Sequence, residues 1–176
     1  MSLLELEVDA DSVVTVLDGS RTEVGWSGSL QSLWRAAGAA ARTAVGEYGG
    51  APAECTIVDL CDVAAIWDQE TLGAACAPLA GAESFADRVH GLRHTDPHLW
   101  AQIEGRRYAV GTLGGYLIAR STRGVWHAVS APGAERIGLA ALTDVPAAAL
   151  PDVLPAGTRL GHTDRSLAGI EVALSL

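Results

Sequence analysis

The sequence contains no lysine and no asparagine, so all twelve of its cationic residues are arginines. Catalysis through a lysine Schiff base or a lysine general base is therefore excluded for this chain. Cations are also scarce beside the twenty-one acidic residues, which gives a formal net charge of −9. A chain of this charge repels phosphate backbones and anionic lipid, so we expect neither a nucleic acid nor a membrane surface as a partner.

Long apolar runs and cysteine pairs are also missing. No stretch reaches the roughly eighteen uncharged apolar residues that a membrane span requires, and residues 1–8 carry no positive charge. Cys55, Cys61 and Cys76 are odd in number and form no C-x-x-C pair, which favours reduced, buried thiols over a disulfide framework. Together these absences predict a cytoplasmic protein.

The composition is that of a folded chain. Of the 176 residues, 49% are hydrophobic, which is enough to build a sizeable core without disulfides or a structural metal. No change in composition, low-complexity tract or long linker divides the sequence. We therefore expect a single globular domain over residues 1–176.

Alternating and β-branched segments predict strands in both halves of the chain. Residues 4–8 alternate between apolar side chains and glutamate, and the run 12–17 completes an antiparallel hairpin at the N-terminus. Residues 56–61 form a short apolar run that predicts a strand inside the sheet. Alternation returns in residues 170–176, so the chain is expected to finish as a strand.

Three segments predict helices. Apolar residues recur at three- and four-residue spacing over residues 30–48, with Ser27 or Ser29 available as the cap. A second helix is expected from Asp62 to Cys76, and a third after Ser84.

From His98 onward the pattern predicts short strands separated by tight turns. Residues 111–115 are rich in glycine, but they lie between two of these strands, so they are interpreted as a turn and not as a phosphate-binding loop. The fold class is therefore α+β, a largely antiparallel sheet made of the N-terminal hairpin and a C-terminal meander, packed against two to four helices. The meander is predicted from residues 99–104, 107–110, 116–120 and 125–130.

The densest group of chemically useful side chains is His90, His94, Asp96 and His98. Histidines four residues apart on a helix can share a divalent metal such as zinc, and a nearby carboxylate can complete the ligand set. A second interpretation is favoured by Pro97, because the residue before a proline avoids the helical conformation. In that reading His90 and His94 lie near a helix C-terminus, Asp96 organises a turn and His98 begins a strand.

Asp59 is the other candidate for catalysis, alongside His94 and Asp96. It interrupts an apolar strand, where a buried carboxylate is costly unless it is paired or hydrogen-bonded. Such carboxylates often belong to functional sites, but they also close strand ends as ordinary turn residues, and Asp62 three positions later fits that alternative.

Tryptophan is unusually frequent, with five residues against a single phenylalanine. Indoles are enriched at interfaces and ligand sites, and an arginine pair in a turn can hold a carboxylate or phosphate. The expected binding residues are Trp67, Trp100, Trp126, Arg106 and Arg107.

No complete catalytic set emerges from these residues. The favoured function is a non-catalytic cytosolic module that binds a protein partner or a small molecule and needs no cofactor. The alternative is a small metal-assisted hydrolase centred on the cluster from His90 to His98. The acidic charge suggests a basic protein as partner, and the high apolar content predicts a homodimer.

Overall fold

The computed structural model describes residues 2–175. It confirms the α+β class, with strands and helices distributed along the whole chain. The strands are β1 (Leu3–Val8), β2 (Ser12–Leu17), β3 (Ser20–Gly25), β4 (Glu54–Asp59), β5 (Ala64–Asp68), β6 (Tyr108–Thr112), β7 (Ala128–Ser130), β8 (Asp152–Leu154), β9 (Arg159–His162) and β10 (Glu171–Leu174). The helices are α1 (Leu30–Tyr48), α2 (Phe85–Thr95), α3 (Pro97–Glu104), α4 (Leu113–Ser121) and α5 (Ala131–Arg136).

The main sheet has six strands in the order β3-β2-β1-β4-β10-β9. Its N-terminal part is the predicted hairpin, extended by one strand, and in β1 Leu4, Leu6 and Val8 are buried as the alternation requires. In contrast, β4 pairs in parallel with both β1 and β10. The carboxyl ends of these three central strands therefore lie at one edge of the sheet.

Helix α1 packs on one face of this sheet. The Ser29 hydroxyl accepts a hydrogen bond of 3.1 Å from the Ser32 amide, and Gly49 ends the helix in the left-handed conformation at a φ of 81°. Between these caps the buried stripe is mostly alanine, which lets the helix axis approach the strands closely. The sequence prediction for this helix is confirmed.

Two further strand pairs extend the core. Strands β5 and β6 pair in antiparallel fashion, and β7 pairs with β8 in parallel. All five residues of β5 are buried, because successive side chains enter opposite sides of the pair: Ala65 and Trp67 join the cluster around the main sheet, whereas Ile66 joins a second cluster. Helices α2 and α3 and the segment after α5 supply most of that second cluster.

Several sequence-based predictions in the middle of the chain are wrong. The predicted helix from Asp62 to Cys76 is not formed, because β5 lies there and a strand buried on both faces shows no alternation. Two of the four meander segments, residues 99–104 and 116–120, are helices α3 and α4. Their N-caps decide this, since Asp96 accepts a hydrogen bond from the Leu99 amide at 3.0 Å and Thr112 caps α4.

The segments that follow α5 are short. Single turns of 3-10 helix occur at residues 139–141, 147–149 and 165–167. The predicted C-terminal strand is confirmed as β10, and Leu176 lies outside the described residues. Within residues 2–175, no helix combines the length and apolar character needed to cross a bilayer.

Candidate functional site

A cavity of about 190 Å³ opens at the carboxyl edge of the parallel strands. In sheets of this kind, ligands bind in the crevice outside the carboxyl ends of the strands. The volume equals that of about six water molecules, so it suits a small molecule. The cavity is lined by the ends of β4 and β10, the start of α4, and the segment from β7 into α5: Ile57, Val58, Asp59, Thr112, Gly114, Gly115, Ile118, Ala128, Val129, Ser130, Pro132, Gly133, Arg136, Leu174 and Ser175.

Asp59, the last residue of β4, supplies the carboxylate of this cavity. Its Oδ1 accepts a hydrogen bond of 2.7 Å from the backbone amide of Gly114 in the first turn of α4. The Thr112 hydroxyl also hydrogen-bonds this carboxylate. Asp59 is thus a strand-end residue, as one of the two sequence interpretations held, but its partners belong to a distant helix.

Glycine is required at position 114 by this contact. A Cβ placed there would lie 2.7 Å from Oδ2 of Asp59 and 3.0 Å from its Oδ1, far inside the normal contact distance. The carboxylate therefore fills the space that any other side chain would need. The sequence predicts a turn over residues 111–115. That prediction is wrong, because Thr112 accepts a 2.9 Å hydrogen bond from the Gly115 amide and caps helix α4.

Burial governs the protonation of Asp59. The loss of solvation raises the pKa of this carboxyl, and the hydrogen bonds from Thr112 and Gly114 oppose the increase only in part. The charge of Arg136 acts in the same opposing direction. A carboxylate with a raised pKa is a better proton acceptor than an ordinary exposed one.

The opposite wall is built from β7 and α5. The Ser130 hydroxyl caps α5 by accepting a hydrogen bond of 3.2 Å from the Gly133 amide. Arg136, at the far end of the same helix, donates to the carbonyl of Cys61 at 3.2 Å, which ties α5 to the loop after β4. Arg136 is the single cation among the described lining residues, and it is exposed at the cavity rim.

The thiol beside this loop is not activated. Burial raises the pKa of Cys61, and the nearby carboxylates of Asp59, Asp9 and Asp62 raise it further. Burial likewise raises the pKa of Cys55 to about 12 and that of Cys76 to about 11. All three cysteines are free thiols, and none has the low pKa of a nucleophilic thiolate.

The histidine cluster does not converge on a metal. His90 Nε2 lies 2.7 Å from Asp144 Oδ1, whereas His94 and His98 are exposed. Asp96 is occupied as the N-cap of α3. Across residues 2–175, no three histidine, cysteine or acidic side chains are grouped closely enough to hold a metal ion. The prediction that His98 begins a strand is also wrong, since His98 lies in the first turn of α3.

The predicted aromatic binding residues lie in different surroundings. Trp67 and Trp100 are 1% and 6% exposed, so their indoles belong to the two hydrophobic clusters. Trp67 contacts Tyr116 and His127 edge to face. Arg93 lies over the ring of Trp100, 4.6 Å from its centre, and also pairs with Asp144. The structure therefore places these two indoles in the core rather than at the cavity.

The remaining predicted binding residues lie away from the cavity lining. Trp126 is half-buried against the main cluster. Arg106 is exposed and adopts a φ of 62°, and Arg107 pairs with Asp68 at 2.9 Å. Ligand binding by these three side chains stays a prediction.

Asp59 is identifiable from the sequence, whereas the residues around it are not. Thr112, Gly114, Ser130 and Arg136 lie more than fifty positions further along the chain. One signal was present, because a threonine three residues before a glycine amide is a helix-capping arrangement and not only a turn. His127 was also missed; its Nε2 is buried without a partner in the described structure, and burial lowers the pKa of its ring to about 4.

No protein-family model matches the sequence, and no curated protein matches it. Solved structures are similar in fold. Glycerol kinase of Plasmodium falciparum with ADP superposes with a TM-score of 0.83 at 9% identity, over 99% of this chain and 48% of that one. Xylulose kinase from Lactobacillus acidophilus gives 0.80 at 10% identity, over 99% and 47%. Gluconate kinase from the same organism gives the same four values.

The chain spans about half the length of these kinases and has the fold of that half. The prediction of a non-catalytic binding module is therefore wrong, since the fold is one found in carbohydrate kinases. The alternative, a metal-assisted hydrolase at His90, His94 and His98, fails because two of these side chains are exposed and the third is hydrogen-bonded to Asp144.

Proposed function

We propose that this chain forms the acceptor-binding half of a carbohydrate phosphoryl-transfer site, which a second lobe completes. The observation that carries the proposal is the Asp59 carboxylate, held at the carboxyl edge of the sheet in a cavity of about 190 Å³. The likeness to glycerol, xylulose and gluconate kinases supplies the reaction class. This chain matches only about half the length of those kinases, so we propose that a second lobe, on this or another polypeptide, supplies the rest of the site.

The cavity has the chemistry to hold a small polyol. Carboxylate oxygens accept hydrogen bonds from sugar hydroxyls, and the hydroxyls of Ser130 and Ser175 are placed along the same lining. The space beside the glycines at 114, 115 and 133 is taken by the side chains of Asp59, Thr112 and Ser130, so a ligand would meet the polar atoms of these side chains. The apolar side chains of Ile57, Ile118 and Leu174 offer surface to the carbon skeleton.

In the proposed transfer, Asp59 acts as the general base. The acceptor hydroxyl gives its proton to the carboxylate while its oxygen forms a bond to the phosphorus of a nucleoside triphosphate. The bond from that phosphorus to the leaving nucleoside diphosphate breaks. Arg136, an exposed cation of the cavity lining, is proposed to attract the phosphates of the nucleotide.

Binding by the 176-residue chain tests the proposal without the second lobe. Titration with glycerol or xylulose, followed by backbone amide NMR, is expected to give saturable shifts at Gly114, Gly115 and Gly133, with a Kd on the order of 1 mM. Asp59→Asn is expected to weaken binding about tenfold, because a hydrogen bond to a charged acceptor is lost.

The matched control is Asp18→Asn, which removes the same charge from the turn between β2 and β3. It is expected to leave the affinity unchanged. Absence of saturable shifts with either polyol, or equal loss in both variants, would contradict an acceptor site at Asp59.

A further inference from the structure

The amides at the start of α4 already have acceptors from the chain itself. Gly114 donates to the Asp59 carboxylate at 2.7 Å, and Gly115 donates to the Thr112 hydroxyl at 2.9 Å. A phosphate or carboxylate ligand at a helix N-terminus needs such amides free, together with the positive end of the helix dipole. In this protein the Asp59 carboxyl takes that place.

The charged residues nearby also disfavour an anionic ligand. Asp9, Asp59 and Asp62 all raise the pKa of the Cys61 thiol, so three carboxyl groups lie near the loop that follows β4. Asp62 is paired with Arg88 at 3.1 Å, and Arg136 is the single cation among the described lining residues. An anion that passes Arg136 at the rim would still find the Gly114 amide occupied by the Asp59 carboxyl.

We infer that Asp59 is a specificity-determining residue that admits the uncharged polyol and rejects anionic ligands, including the phosphate ester of the same polyol. This inference rests on the proposed acceptor site and names the charge of the molecule that fits it. The phosphate ester formed by transfer is then a poor ligand for the cavity that held its precursor. Among acceptors named by the similar structures, glycerol and xylulose fit this requirement, whereas gluconate carries a carboxylate.

Inorganic phosphate is the first probe, since its binding does not depend on polyol recognition. With the wild-type chain, titration to high millimolar phosphate is expected to give no saturable shift of the Gly114 and Gly115 amides. Asp59→Ala removes the carboxylate and frees the Gly114 amide, so it is expected to bind phosphate at least about tenfold more tightly than the wild type.

Asp59→Asn distinguishes two causes of phosphate exclusion: the hydrogen bond that occupies the Gly114 amide, and repulsion by the charge of the carboxylate. Its amide oxygen keeps the acceptor for Gly114, so we expect no saturable phosphate binding in this variant. If Asp59→Asn gains as much affinity as Asp59→Ala, repulsion alone explains the exclusion and occupation of the amide is not needed. Saturable phosphate binding to these amides in the wild type would overturn the inference, as would no gain in a folded Asp59→Ala protein.

A comparison of two polyols serves if Asp59→Ala does not fold. The wild-type chain is expected to bind xylulose at least about tenfold more tightly than gluconate. Equal affinities would overturn the selectivity, whereas failure of both to bind would contradict the acceptor site instead. The two hypotheses therefore fail on different measurements.

Discussion

The Asp59 carboxylate accepts a 2.7 Å hydrogen bond from the backbone amide of Gly114, although fifty-five residues separate the two in sequence. This bond joins the end of a central strand to the start of helix α4. It also explains why a charged residue can end an apolar strand, since the helix N-terminus and two hydrogen bonds offset part of the cost of burial. Four predictions follow from this contact and from other buried polar groups.

Gly114→Ala is expected to destabilise the protein by about 1–3 kcal/mol, because the new methyl group would overlap the Asp59 carboxylate and force it off the helix. Gly46→Ala in α1 is the matched control, since its Cβ would meet no atom within 4 Å. That change is expected to raise stability by up to about 1 kcal/mol through helix propensity. Urea unfolding of both variants measures the difference, and equal effects would refute the close contact.

Asp59→Asn is expected to raise the free energy of unfolding at neutral pH. Because the pKa of Asp59 is raised in the folded state, the unfolded chain ionises first as pH increases, and stability falls from about pH 4 upward until the folded carboxyl also ionises. The variant lacks this loss. Unfolding measured from pH 4 to 8 should show a smaller decline than in the wild type, and an unchanged profile would contradict burial of the charge.

His127 is expected to change the pH dependence of stability in the opposite direction from Asp59, because it lowers stability as the pH falls. Burial lowers its pKa from 6.5 to about 4, so the unfolded chain binds the proton first as pH falls. Stability is then complete above pH 6.5 and decreases by up to about 3 kcal/mol on acidification to pH 4. His127→Gln should flatten this part of the profile, whereas His94→Gln, at an exposed position, should leave it intact.

Arg88 is expected to matter far more than its acidic partner. Its side chain is 5% exposed and donates to the carbonyls of Gly81, Glu83 and Asp62, while the Asp62 side chain is 52% exposed. Arg88→Ala leaves these carbonyls without their donor and should cost about 3 kcal/mol. Asp62→Ala should cost less than about 1 kcal/mol. Comparable losses, measured by thermal unfolding, would show that the ion pair dominates instead.

Self-association and a cytoplasmic location stay predictions of the sequence. The expected homodimer is measured by light scattering of the 176-residue chain, and a monomer at micromolar concentration would contradict it. The second lobe of the proposed function differs from this chain, so binding of that lobe would not form the predicted homodimer.

Elements with one face toward solvent were predicted well. Strand β1 and helix α1 each show the period of their structure, because water requires polar side chains on one side of them. Strand β10 was predicted from its alternating sequence, although three of its four residues are buried. Strand β5 gave no such signal since it is buried on both sides. Residues 99–104 were misassigned because a short apolar segment fits a helix and a strand equally well, and its cap at Asp96 decided the outcome.

The sequence by itself determined the α+β class, the N-terminal hairpin, the long alanine-rich helix and the unusual position of Asp59 in an apolar strand. Those features depend on residues that are close in sequence, so the periodicity of apolar residues and the local charge are enough to predict them. Only the tertiary structure decided what Asp59 contacts, because Thr112, Gly114 and Arg136 reach it through a parallel sheet and two helix termini. Side chains distant in sequence meet there because burying the apolar faces fixes strand order, and strand order is not encoded in any single segment.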